Sequence, residues 1–130
     1  MARRIMLIDD YESDLLFTRL MLERCDQHYE VLEYDSALEA LQYLQSNPLH
    51  GISLILLDIN MPGMDGFEFL EVYENLADGK QAEAVVVMLT SSPDPRDRAR
   101  AEAFGSVRGY ITKPIDKATA SGLMNFIGQN

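Results

Sequence analysis

Short apolar runs alternate with amphipathic stretches along this chain, and the rhythm repeats five times. The runs cover residues 5–8, 31–34, 52–57, 84–89 and 110–111. Four of them carry Ile or Val without polar alternation, the pattern of strands buried on both faces of a parallel sheet. The run at 31–34 is the shortest signal. Windows of about 10–15 residues separate the runs, enough for crossover helices. Five β–α units in regular order predict a doubly wound α/β domain.

Local signals place the helices. Ser13 is positioned to cap a helix running to about residue 26, with Leu16, Leu20 and Cys25 near one face and Arg19 and Glu23 at exposed i,i+4 spacing. Asp35 or Ser36 caps a second over 37–45, with Leu38, Leu41 and Leu44 in a stripe and Asn47-Pro48 as the stop. Asp65 caps a third over 67–76, which Asp78-Gly79 ends. Pro95 fits the first turn of a fourth reaching Phe104, with Gly105 just beyond. The last, over 116–127, contains Thr119, Ser121 and Gly122 and must depend on docking against the sheet.

Composition narrows the function. At 130 residues the chain fits one domain. Its formal charge of −10 works against nucleic acid and against anionic membranes. Cys25 is the single cysteine, so no internal disulfide forms and the chain reads as cytoplasmic. The apolar run near the N-terminus stops at Asp9, too soon for a signal-peptide core, and no stretch approaches a membrane span.

In doubly wound sheets, sites form beyond the carboxyl ends of the strands. Asp9 and Asp10 end the first strand, Asp58 the third, Thr90 the fourth, and Lys113-Pro114 the fifth. Three carboxylates, a hydroxyl and an ammonium are therefore expected on one rim. Crowded carboxylates repel, and one lysine cannot offset three negative charges. A hard divalent cation such as Mg²⁺ (or Mn²⁺) would. An Asp carboxylate can act as the nucleophile towards phosphorus, and Thr90 and Lys113 suit phosphoryl oxygens. The chemistry indicated is phosphoryl transfer to an aspartate, driven by positioning and charge neutralisation. The segment Ile59-Asn60-Met61-Pro62-Gly63-Met64-Asp65-Gly66 is a turn-rich lead into a helix. Proline also admits a cis bond at Lys113-Pro114.

Taken together, these landmarks resemble the receiver domain of bacterial two-component response regulators, of the stand-alone chemotaxis-regulator type. The residues that carry the resemblance are Ile8-Asp9-Asp10, the run from Leu57 to Gly66, Leu89-Thr90-Ser91, and Tyr110-Ile111-Thr112-Lys113-Pro114. It implies a five-stranded flavodoxin-like parallel sheet of order 2-1-3-4-5. Asp58 would be the phosphoacceptor for a histidine kinase or histidine phosphotransfer domain. Asp10, Asp58 and the Asn60 backbone carbonyl would bind Mg²⁺ directly, and Asp9 through water. Thr90 and Tyr110 would form the switch, with Lys113 as charge partner. The fourth helix, fifth strand and fifth helix would carry the output to another protein, with a homodimer as one outcome. On this reading the five units use the whole chain and leave no attached output domain.

Each residue alone has an ordinary reading. Asp9-Asp10 suits a solvated strand end, Thr90 a β-branched strand residue, Lys113 a surface lysine and Tyr110 half-buried packing. Arg96, Arg98 and Arg100 read as a solvated helix face with local ion pairs. Cys25 reads as inert packing, and His28 and His50 receive no role. The competing enzyme reading is a phosphohydrolase of the haloacid-dehalogenase type. It needs a second Asp two residues after the nucleophile, where Asn60 stands. Asn60 and Ser92 occupy positions that the family uses to tune phosphoryl lifetime. The loop from Gly105 to Tyr110 is longer and more basic than the family's usual pattern.

Overall fold

The computed structural model describes residues 3–76, 84–91 and 93–127. The Asp78-Gly79 helix stop and Ser92 lie outside the described residues. Strands β1 (Arg3–Ile8), β2 (Tyr29–Tyr34), β3 (Ile52–Asp58), β4 (Val85–Thr90) and β5 (Val107–Thr112) form one parallel sheet of order β2-β1-β3-β4-β5. Between them run α1 (Glu12–Arg24), α2 (Ala37–Ser46), α3 (Gly66–Tyr73) and α4 (Pro95–Glu102), and after β5 come α5 (Lys117–Ser121) and α6 (Met124–Ile127). Among the described residues, no helix is long and apolar enough to cross a membrane.

The central strands are apolar on both sides because both faces are covered. On one face, Met6, Ile8, Ile55, Leu57, Val86 and Met88 pack under α2, α3 and Ala101 of α4. On the other, Ile5, Leu7, Leu54, Leu56, Val87 and Leu89 meet Leu22 of α1 and Ala120 and Leu123 near the C-terminus. Alternation along β3 breaks once. Arg4 pairs with Ile52 but Ile5 pairs with Leu54, so Ser53 is an extra residue. This bulge puts Ile52 and Ile55 on the same face although they are three apart.

Several boundaries differ from the sequence expectation. Tyr11, not Ser13, is the N-cap of α1, without a side-chain cap bond. Glu12 and Asp14 in its first turn supply the favourable charge instead. The buried face of α1 holds Thr18 and Leu22, while Leu16 is 47% exposed. In α2, Ser36 is the cap, and Ala37, Ala40, Leu41 and Leu44 face inward, leaving Leu38 exposed. Helix α3 stops at Tyr73 rather than Leu76; the Tyr73 hydroxyl donates to the Ala84 carbonyl at 2.8 Å and its ring stacks on Phe69. The expected last helix is split at Gly122-Leu123 into α5 and α6, with Asp116 capping the first piece. Strand β5 begins three residues early. A Cβ on Gly109 would stand 2.6 Å from the Phe126 ring, so glycine there lets α6 lie directly on the strand.

Candidate functional site

Parallel strands all end on one edge, so the residues terminating β1, β3, β4 and β5 converge. Asp9 is fully buried just past β1, and Asp10 beside it is exposed. Asp58 ends β3 and is buried. Carboxylate oxygens of Asp9, Asp10 and Asp58 lie within 4.8 Å of one another. Lys113 reaches into this group. Its Nζ is 2.9 Å from Asp9 Oδ2, 3.3 Å from Asp58 Oδ1 and 2.8 Å from Asp14 Oδ2. The Lys113 N–H donates to the Thr90 carbonyl at 2.7 Å, and the Lys113-Pro114 bond is cis.

Local sequence shapes the wall beside Asp58. Asp65 and Glu68 form a reciprocal capping box, each side chain accepting from the other's backbone N–H at 2.9 and 3.0 Å. The Gly66 N–H donates to the Ile59 carbonyl at 2.8 Å, and the Ile59 N–H to the Leu89 carbonyl at 3.2 Å. Gly63 turns the loop at φ +80°. A Cβ at Gly66 would meet the Asp58 carbonyl oxygen at 2.7 Å, so only glycine lets α3 start this close to the end of β3.

The electrostatics follow from burial and crowding. Burial first, and the Asp9 charge second, push the Asp58 carboxyl up to about 6 from its ordinary 3.8, against the pull of Lys113. Asp9 is raised too, mainly by burial, although it accepts from the Tyr11 N–H at 3.0 Å and from Lys113. Burial alone would lower Lys113, but hydrogen bonds to Asp14 and Asp9 and the charge of Asp58 leave it raised. The pocket is over-supplied with negative charge for a single ammonium. A hard cation held by oxygen ligands fits this donor set.

The structure brings Asp9, Asp10, Asp58, Thr90 and Lys113 to one rim, and places Asn60 exposed on the loop two residues beyond Asp58. Thr90 is buried at the end of β4. Tyr110, on β5, has its hydroxyl buried beside Thr90; burial and then the Asp97 charge push the phenol up. Arg98 lies over its ring at 5.6 Å, and both line a cavity of about 250 Å³ with Pro93, Asp94, Pro95 and Thr112. Arg96, Arg98 and Arg100 are exposed, with local ion pairs from Arg96 to Asp94 and from Arg98 to Glu102 as expected, and two of them also cover aromatic rings. Arg98 pairs with Glu102 at 3.6 Å while covering Tyr110, and Arg100 covers Phe67 at 4.2 Å. His50 is buried, its Nδ1 accepting from the Ile52 N–H at 2.9 Å. The Cys25 thiol donates to the Leu22 carbonyl at 3.3 Å. Asp14 is the site residue that sequence reasoning missed.

Comparison with known proteins identifies the family and the fold. A family model described as the response regulator receiver domain matches residues 5–123. The CAI-1 autoinducer sensor kinase/phosphatase CqsS of Vibrio cholerae is 30% identical over 115 residues, 88% of this chain and 16% of that protein. The two-component response regulator ARR10 of Arabidopsis thaliana is 30% identical over 112 residues, 86% of this chain and 19% of that protein. The chain therefore spans less than a fifth of these relatives. Among solved structures, a two-component response regulator from Cytophaga hutchinsonii superposes with TM-score 0.87 at 29% identity, covering 97% of this chain and 96% of that one. Chemotaxis protein CheY4 of Vibrio cholerae superposes with TM-score 0.80 at 25% identity, covering 98% and 99%. With its sheet order, its strand-end residues and the match along most of its length in agreement, the chain belongs to the response regulator receiver domains, the phosphoacceptor modules of two-component signalling.

Proposed function

We propose that Asp58 is the phosphoacceptor and takes a phosphoryl group from the phosphohistidine of a histidine kinase or histidine phosphotransfer domain. The observation that carries this reading is the Asp58 carboxylate at the end of β3, 3.3 Å from Lys113 Nζ and crowded by Asp9 and Asp10. A carboxylate oxygen of Asp58 forms the new bond to phosphorus. The phosphorus–nitrogen bond of the donor breaks, and the imidazole leaves with the electron pair. Asp10, Asp58 and the Asn60 carbonyl would hold Mg²⁺ (or Mn²⁺), with Asp9 assisting through water. The ion would neutralise charge that builds on the phosphoryl oxygens. Asp9 already has one oxygen on the Tyr11 N–H and the other on Lys113, which suits an outer role.

Lys113 and the Thr90 hydroxyl would engage the phosphoryl oxygens. Thr90 lies beside the Tyr110 hydroxyl, so its movement alters the packing of the ring under Arg98. The surface of α4, β5 and α5 then changes its affinity for a partner by population shift. The enzyme alternative is weakened by Asn60, which cannot serve as the general acid a phosphohydrolase of this type needs. The test is incubation with a small phosphodonor and Mg²⁺, read by intact mass. One base-labile phosphoryl group is expected on the wild-type chain and none on Asp58→Asn. Modification of Asp58→Asn to the same extent, or sustained turnover of phosphate monoesters, would overturn the reading.

A further inference from the structure

We infer that Asp14 is a positioning residue for Lys113, holding the outer side of its ammonium and competing for it with an anion arriving at Asp58. The inference rests on the proposed role of Asp58. Asp14 sits in the first turn of α1, and its Oδ2 is 2.8 Å from Lys113 Nζ, nearer than Asp58 Oδ1 at 3.3 Å. An ammonium has three N–H donors and no acceptor. Three carboxylates, on Asp9, Asp14 and Asp58, already surround it.

The hydrogen bonds of the ammonium go to Asp9 and Asp14, while its contact with Asp58 is a looser ion pair at 3.3 Å. A phosphoryl group would carry its oxygens beyond Asp58 Oδ1, so the ammonium must turn outward to meet them and one of its carboxylate contacts must lengthen. Asp9 is fully buried, and its other oxygen is held by the Tyr11 N–H. Asp58 carries the incoming group. Asp14 remains, with a side chain 36% exposed, so water can replace the lysine at low cost. There is also room for the exchange, because Asp14 and Lys113 line a cavity of about 260 Å³ with Phe17, Thr18, Ser91 and Pro114. Asp14 therefore sets how readily Lys113 is released to the anion. It acts through the lysine and not on the phosphorus.

The experiment measures beryllofluoride binding by the full chain at saturating Mg²⁺, using fluorine NMR or calorimetry. Asp14→Asn is expected to bind roughly two- to fivefold more tightly, the size of effect that follows from loss of a partly exposed ion pair. Asp14→Glu, which keeps the charge within reach, should return towards wild type. Glu12→Gln removes the same charge from the same turn and should leave the affinity unchanged. Unaltered or weaker binding by Asp14→Asn, with its thermal midpoint preserved, overturns the inference. Equal tightening by Glu12→Gln overturns it as well, since that is a long-range charge effect. If Asp14→Asn is poorly folded, Asp14→Ser serves as the second variant under the same criteria. Failure of the wild type to bind beryllofluoride overturns both this inference and the proposed role of Asp58. Wild-type binding without an Asp14 effect removes only the inference.

Discussion

Replacing Lys113 by Met is expected to lower the unfolding free energy by about 3 kcal/mol at about pH 8 without divalent metal, the low end of the range for breaking a buried ion pair. The lysine is nearly buried and is the cation that Asp9, Asp14 and Asp58 share. Its ionisation is raised in the folded protein. The stabilisation it gives is thus fully present below the ordinary lysine range and fades only as the solution becomes more alkaline. Methionine matches the lysine's apolar stem but, without the ammonium, leaves the buried carboxylates facing each other. They can relieve the repulsion by taking up a proton, so the deficit should shrink on acidification to about pH 5. Urea denaturation of both proteins at the two pH values measures this. A deficit below about 0.5 kcal/mol at the higher pH, the usual scatter for surface substitutions, would show that the ammonium is not the counterweight to these carboxylates.

The second expected effect has the opposite sign. Asp58→Asn should stabilise the metal-free protein by about 2 kcal/mol at about pH 8, a figure reduced from the full shift because solvent screens part of the site. The folded carboxyl lies near 6, against an ordinary 3.8. Folding therefore favours the protonated acid. The stability linked to that proton is complete below the ordinary value and is lost as pH rises through about 6. Asparagine has no such charge, so the difference between variant and wild type should vanish towards about pH 4 and open on the alkaline side. Mg²⁺ should narrow it, because a bound cation stabilises the carboxylate and not the amide. Thermal midpoints across this range, with and without Mg²⁺, read both predictions. An Asp58→Asn protein less stable than wild type throughout would rule out the crowding of charge as the dominant cost at this site.

The rim was legible in the sequence because strand ends are legible. Asp9, Asp10, Asp58 and Thr90 stand at the ends of buried apolar runs and Lys113 at the end of the half-buried β5, and parallel pairing brings such positions to one edge. Asp14 was hidden for a different reason. An acid in the first turn of a helix reads as an ordinary partner of the helix dipole, and its lysine is 99 residues away. The inward face of α1 was ambiguous because Leu15, Leu16, Leu20, Met21 and Leu22 give apolar residues on nearly every side. Packing then chose Thr18 and Leu22. The start of β5 was obscured by Arg108 and Gly109, which break the apolar run, while the split between α5 and α6 falls at Gly122, already a weak point in propensity.

The close fit of Gly66 against the Asp58 carbonyl makes the two sides of the site mechanically unequal. Along β3 and α3, the capping box, the Gly66 bond to Ile59 and the Ile59 bond to Leu89 leave no slack, so this side is an anvil. The side formed by Thr90, Tyr110 and α4 borders open space. A blow struck at Asp58 travels towards whatever can yield. On the proposed role of Asp58, a partner that senses the phosphoryl group would rest its weight on α4 and β5, while one that only needs a fixed place to stand would use α3.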